Sequence, residues 1–378
     1  MSSPTSGSRT GSGSQAASGS GSRIRVAIFG TSFGRLVQAP GFLRHPGFEL
    51  VAIAGRDAAR AQRLAAELGV PRGYGDWREL LEREKPQLVS IVTPVDLHHD
   101  MMIAAIAAGA HVHCEKPTAL HRWQAVAMRD AALAAGRVAG INHEFRFLPA
   151  RAYAVELVRR GAIGRPRRGE ILGRYPIWAR ADSRAMTWLA DATRGGGILG
   201  ALGSHHTDCL RTFFGEPESV LASVRTDQPK RGTETATADD ACTIHYEFAN
   251  GATALIDISA AVPYRWERFE IHGEDASLRW DESGYQLWRL EAGKDAEELP
   301  IPAEHALRPR DGEPALVAPF EVLLERLHRA ITLGEPLSPS FAADAVPVQC
   351  ALDACRASSV AGTRVVVEQA PAPTQALS

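Results

Sequence analysis

Little in this 378-residue sequence favours one sign of charge: 42 basic and 44 acidic side chains leave a formal charge of −2. There is no basic stripe for nucleic acid and no acidic tail for a polycation. No run of about 18 or more apolar residues is present to span a bilayer, and the opening residues lack the apolar core of a signal peptide. Cysteine is scarce and scattered, at Cys114, Cys209, Cys242, Cys350 and Cys355. The number is odd and no C-x-x-C pair occurs, so neither a disulfide framework nor a zinc site is indicated. A reducing cytoplasm is the expected location. No His/Asp/Glu group has the sequence spacing of metal ligands, and no metal is expected.

What is present is a chain with 45% hydrophobic residues, long enough for two domains. Residues 1–22 are almost all Ser, Gly, Thr and Ala; they bury too little apolar surface to offset backbone entropy and are expected to be disordered. From Arg23 the pattern changes to alternating strands and helices. "RIRVAIFG", "FELVAIAG", "QLVSIVTP", "AHVHCE" and "RVAGIN" read as strands, and helical stretches such as "DAARAQRLAAEL" and "HHDMMIAAIAAG" separate them. This alternation predicts an α/β, doubly wound parallel sheet over 23–142. Short alternating strands and amphipathic helices over 143–370 predict a second α/β domain, with a flexible tail over 371–378.

In a doubly wound sheet, ligands sit at the carboxyl ends of the strands. The loop "FGTSFGR" follows the first strand and opens a helix. Gly30 permits the tight turn, and the helix N-terminus offers free N–H groups to a pyrophosphate. The usual G-x-G-x-x-G spacing is not met: Ser32 and Arg35 stand where glycines would, and Gly34 is displaced by one. Gly30, Ser32, Phe33 and Gly34 are nonetheless the expected dinucleotide contacts. About 20 residues on, where an acid usually holds the ribose hydroxyls of NAD, the second strand ends in Gly55-Arg56. A small residue with an arginine suits a 2′-phosphate, so NADP is expected over NAD. Asp57 is the N-cap of the next helix. The "CEKP" turn places Glu115 and Lys116 at the end of a later strand, where an ammonium group stabilises the alkoxide that develops as hydride leaves carbon.

Taken together, "FGTSFGR", "VTPVDLHHDMMIAAIAAGAHVHCEKPTAL", "GAIGRP", "GGGILGALGSHHTDCLR" and "SFAADAVPVQCALDACRASS" resemble the glucose–fructose oxidoreductase / inositol 2-dehydrogenase / MocA oxidoreductases. The resemblance runs from about Arg23 to Val367. It implies an N-terminal Rossmann domain and a C-terminal domain whose large, open, mostly antiparallel sheet carries substrate on one face. It also implies that Lys116 contacts substrate and nicotinamide, that Thr93, Pro94 and His98 line the cofactor cleft, and that His205 is the general acid/base. A histidine suits that task because its ordinary pKa lies near neutrality. Where the family often has an aspartate one turn earlier, this chain has Ala201. Asp208 also matches the family, as a residue that orients His205 or a substrate hydroxyl. Arg146, Arg180 and Trp188 are expected in the pocket wall, where a cationic, aromatic surface suits a sugar or an acidic group.

The expected activity is hydride transfer between NAD(P) and a secondary alcohol of a sugar, cyclitol or similar small molecule. The alternatives are an NAD-dependent glycosidase of the same fold and a non-catalytic nucleotide sensor. Partners are expected to be the small substrate and a second copy of the chain, because an open sheet needs covering.

Overall fold

The computed structural model describes residues 23–281 and 283–372. The expected tail over 1–22 and most of that over 371–378 lie outside the described residues.

The first sheet is parallel. Its strands β1 (Ile24–Phe29), β2 (Phe48–Ala54), β3 (Arg72–Tyr74), β4 (Leu88–Ile91), β5 (His111–Cys114) and β6 (Ala139–Ile141) are ordered β3-β2-β1-β4-β5-β6. β1 pairs with both β2 and β4, so the strand order reverses beside it. A crevice opens at that reversal in sheets of this kind. Helices α1 (Ala39–Arg44), α2 (Ala58–Leu68), α3 (Trp77–Glu84), α4 (His98–Ala107) and α5 (Arg122–Ala134) connect the strands. Asp57 caps α2, its carboxylate accepting from the Arg60 N–H at 2.9 Å, a contribution of about 1 kcal/mol. β4 is buried at every residue, as the continuous apolar run predicts for a strand covered on both faces.

After α6 (Pro149–Arg159) the chain builds a nine-stranded sheet. Its strands are β7 (Arg168–Arg174) and β8 (Pro217–Arg225), then, past the small hairpin β9 (Lys230–Arg231) and β10 (Glu234–Thr235), β11 (Ala241–Phe248), β12 (Thr253–Ser259), β13 (Trp266–His272), β14 (Ser277–Asp281), β15 (Leu287–Leu290), β16 (Glu297–Leu299) and β17 (Val365–Val366). The order is β16-β15-β14-β13-β7-β12-β11-β8-β17, and only the β7–β12 pair is parallel. β7 lies at the centre, although its "RGEILGR" reads as too polar and glycine-rich for a core strand. The glycines have a packing reason: a Cβ on Gly169 would sit 2.6 Å from Leu210 of α7 (Ser204–Phe214). The hairpin at Asn250-Gly251 forms as its sequence signals, with Gly251 at φ 79°.

Alternate residues of β7, β11, β12 and β13 are buried on one face and half-exposed on the other. α7 and α9 (Val346–Ala361) share the buried core of the covered face. α8 (Val317–Leu333) instead returns to the first sheet, where Phe320, Leu323 and Leu324 pack with Ile24, Phe42 and Phe48. Pro347 falls in the first turn of α9, a position that needs no N–H.

Candidate active site

Three loops meet at the carboxyl edge of the first sheet. Gly30 takes φ +129°, and a Cβ there would lie 2.1 Å from the Val92 carbonyl oxygen, so only glycine lets the β1 turn pass under the end of β4. Ser32 is exposed, Phe33 half-buried and Gly34 buried at the start of a wide helical turn. This gives a cradle into which backbone can approach a pyrophosphate closely, and the loop residues fit a dinucleotide.

Beneath the cradle runs a buried polar chain. His113 Nδ1 lies 3.0 Å from Ser90 Oγ, which donates to Gln38 Oε1 at 2.5 Å. Gln38 Nε2 donates to Glu115 Oε1 at 2.8 Å, and Asn142 Nδ2 donates to the same oxygen at 2.6 Å. The Lys116 N–H reaches Glu115 Oε2 at 3.3 Å. Glu115 therefore links the end of β5 to Asn142 after β6 and to Gln38 in the helical turn after β1, without drawing on the ammonium of its neighbour. His98 braces the same region: it is fully buried, with Nε2 2.9 Å from the Thr93 carbonyl and Nδ1 3.2 Å from those of Pro117 and Thr118. Burial lowers its pKa, against the pull of those carbonyls. Its ring is occupied with backbone, while Thr93 and Pro94 remain half-exposed at the surface of the cleft.

The second domain closes over this floor through its glycine run. A Cβ on Gly200 would lie 3.1 Å from Pro117 Cγ, and one on Gly195 would lie 2.5 Å from Val95 Cβ. Arg194 Nε adds an ion pair with Asp96 at 3.2 Å. Lys116 Nζ donates to the Ala201 carbonyl at 2.9 Å, within the wide turn Leu199–Gly203 that opens α7. Ala201 is one helical turn before His205. The His205 ring stacks on Phe145 at 3.8 Å with an interplanar angle of 3°, and the His143 ring stands 5.6 Å away. Burial, then the charge of Lys116, push the His205 pKa well below its ordinary value, which favours the neutral imidazole.

Asp208 does not form the expected pair with His205. Its Oδ2 accepts from Arg146 Nε at 2.7 Å, its Oδ1 accepts from Arg146 Nη2 at 2.5 Å and lies 3.6 Å from Arg211, and His143 Nε2 is 3.9 Å away. His205 Nδ1 is buried without a hydrogen-bond partner. Arg146 also pairs with Asp344 at 2.5 Å, so two carboxylates neutralise its charge. Arg180 stands in an exposed loop, 3.1 Å from Asp182. Trp188 is half-buried at the start of a short turn whose carbonyls press on Gly196, beside the glycine run.

Sequence reading passed over Gln38, Asn142, Glu144, Arg151, Arg60 and Arg63. A cavity of about 120 Å³, lined by Thr31, Arg35, Arg60, Arg63, Leu64 and Glu67, opens beside the loop; Thr31 packs against Gly55, where a Cβ would lie 2.7 Å from its methyl. Arg56 is exposed next to Gly55. On the half-exposed face of the large sheet, Glu170, Glu270 and His272 come close enough to share an ion, a grouping that strand spacing hides. Arg168 donates to Glu170 at 2.7 Å and Arg268 lies 3.7 Å from Glu270, so guanidinium groups already balance these carboxylates.

Comparison with known proteins agrees with the fold. Residues 24–143 match the model of an oxidoreductase family with an NAD-binding Rossmann fold, and residues 152–279 match that of the GFO/IDH/MocA C-terminal domain. An uncharacterized oxidoreductase of Synechocystis sp. is 32% identical over 295 residues, covering 74% of this chain and 79% of that protein. A D-xylose 1-dehydrogenase (NADP+) of Haloferax volcanii is 32% identical, covering 57% and 63%. The solved structure of a levoglucosan dehydrogenase in complex with NADH superposes with a TM-score of 0.84 at 26% identity, covering 92% of this chain and 100% of that one. The chain belongs to the Gfo/Idh/MocA oxidoreductase family. Among the described residues, no helix is long and apolar enough to cross a membrane.

Proposed function

We propose that this protein interconverts a secondary alcohol and a ketone on a sugar, cyclitol or similar small polar molecule, with NADP preferred over NAD. The observation that carries the reading is the Lys116–Ala201 hydrogen bond at 2.9 Å, which brings an ammonium from the first domain to the foot of the helix that bears His205. A bound nicotinamide dinucleotide supplies the hydride chemistry; Gly30, Ser32, Phe33, Gly34, Thr93 and Pro94 are the residues that would hold it. In oxidation, neutral His205 accepts the hydroxyl proton while Lys116 stabilises the oxygen that loses it. No carboxylate lies within ion-pair distance of Lys116 among the described residues, so its charge acts on the substrate oxygen.

Support for NADP comes from Arg56 beside Gly55 and from the neighbouring cavity with Arg35, Arg60 and Arg63 on its wall. A 2′-phosphate suits that concentration of guanidinium groups. The test is a turnover screen of sugars and cyclitols with both cofactors, run on the native protein and on Arg56→Ala. Secondary alcohols are expected to reduce NADP more efficiently than NAD, and the substitution to weaken NADPH binding about tenfold while leaving NADH unchanged. Absence of substrate-dependent reduction with either cofactor would overturn the activity, and equal NADPH and NADH affinity in the native protein would overturn the preference.

The half-exposed face of the nine-stranded sheet carries Leu172, Leu255 and Trp266 among its charged residues, and no helix of the described residues covers it. A second copy of the chain is the proposed cover. Sedimentation is expected to show an oligomer, and a single monomeric species at micromolar concentration would refute it.

A further inference from the structure

We propose that Asp239 is a positioning residue for Lys116: its carboxylate pins the glycine-rich turn that opens α7, and the Ala201 carbonyl of that turn then holds the ammonium in place for the substrate oxygen. The inference rests on the dehydrogenase reading above.

The Lys116 ammonium carries its N–H donors on a flexible stem. One N–H goes to the Ala201 carbonyl at 2.9 Å, and the others stay available to a substrate oxygen. Where the ammonium points is therefore set by where that carbonyl stands. Ala201 lies in the wide turn Leu199–Gly203, a kind of turn that is uncommon and recurs at functional sites.

The first N–H groups of a helical segment lack partners within it, and Ile198, which precedes this turn, has no polar side chain to offer them. Asp239, in the segment that leads into β11, supplies two acceptors from outside. Its carbonyl accepts from the Ile198 N–H at 3.0 Å, and its Oδ2 accepts from the Leu199 N–H at 2.7 Å. Its Oδ1 lies against Gly197, where a Cβ would come within 2.2 Å and where φ is +112°. Only glycine meets both conditions. The Gly197 carbonyl in turn accepts from the Ala201 N–H at 3.0 Å. Contacts thus run unbroken from Asp239 through Gly197, Ile198 and Leu199 to Ala201, and from Ala201 to Lys116.

Among the described residues no cation lies within ion-pair distance of Asp239, so its carboxylate serves the backbone of this turn. A negative charge is favoured at that end of a helix. The hold matters for rate because a misplacement of about 1 Å at a reacting group can cost about 10²-fold.

Asp239→Ala removes the side-chain acceptor and leaves Lys116 and His205 as they are. The chain has four lysines, Lys85, Lys116, Lys230 and Lys294, of which all but Lys116 are exposed. In protein labelled with carbon-13 at lysine Cε, free of substrate and cofactor, the Lys116 resonance is identified by its loss in Lys116→Ala. It is expected to stand apart from the other three, and to move towards them in Asp239→Ala. In turnover Asp239→Ala is expected to lose about tenfold or more in kcat with NAD(P)H affinity unchanged, while Asp239→Asn, which keeps an acceptor oxygen, recovers most of the loss. In a Lys116→Ala background the same substitution is expected to cost less than about threefold, because residues that act through one group are not additive. A merely structural role would cost the same in both backgrounds. Where Asp239→Ala does not fold, Asp239→Glu, which keeps the charge but displaces the oxygens by one methylene, is read in the same two ways. An unmoved Lys116 resonance, or a full loss in the Lys116→Ala background, would overturn the proposal. A resonance that moves in a protein that turns over no polyol or ketose would support the hold on Lys116 and refute the dehydrogenase reading.

Discussion

Lys116→Ala is expected to lower kcat by about 10²–10³-fold, the range for removing one preorganised group that stabilises a developing oxyanion. The ammonium sits at the junction of the domains, half-exposed, with one hydrogen bond to a neutral carbonyl. Its removal breaks no ion pair among the described residues, so the thermal melt should move little. Dinucleotide binding, read by NAD(P)H fluorescence, should change far less than kcat, because the β1 cradle is untouched. Lys116→Arg should not restore activity: a planar fork cannot replace a point charge in this geometry. Turnover of Lys116→Ala within a few-fold of native would remove the lysine from the chemistry.

Arg146→Ala is expected to cost about 3–5 kcal/mol of stability, read as a lower denaturant midpoint, because it leaves Asp208 and Asp344 buried with less compensating charge. Burial alone pushes the Asp208 carboxyl up; neighbouring charge and the Arg146 hydrogen bonds outweigh it and hold the pKa at about 2. His143 is itself pushed down to about 4, chiefly by burial, so at neutral pH the arginines supply that charge. A depressed carboxyl stabilises the fold above its unfolded pKa of about 3.9, and that contribution fades as pH falls through about 2. Native protein should thus keep this term down to about pH 4, and Arg146→Ala should unfold at a higher pH. An acid midpoint and denaturant midpoint equal to native would show that the pair contributes nothing. The companion variant Arg146→Met/Asp208→Asn/Asp344→Asn should recover part of the loss, since it buries no unpaired charge.

Much of the site's floor was legible because its parts are local. Gly30 must be glycine for its own turn, Asp57 caps the helix that it precedes, and Glu115-Lys116-Pro117 follows directly on the short alternating strand His111–Cys114. The walls were not legible. Asp208 was expected, from the family resemblance, to orient His205 or a substrate hydroxyl, and Arg146, 62 residues away, holds its carboxylate. Arg146 was expected in the pocket wall for its charge, and two carboxylates neutralise that charge. Phe145 was passed over, since only its packing on His205 shows that the turn Glu144–Phe147 faces that ring.

By itself, the sequence determined what rests on neighbours along the chain: the alternation that makes a doubly wound sheet, the loop that bends under β4, and the lysine at the end of β5. Periodicity, capping and turn chemistry act over a few residues, so they can be read from the order of residues. Only the tertiary structure decided that α8 returns to the first sheet, that β7 runs through the middle of the second, and that Arg146 takes up the Asp208 carboxylate. Those outcomes depend on desolvation and on charges brought together from distant segments, and neither quantity exists until the chain has folded.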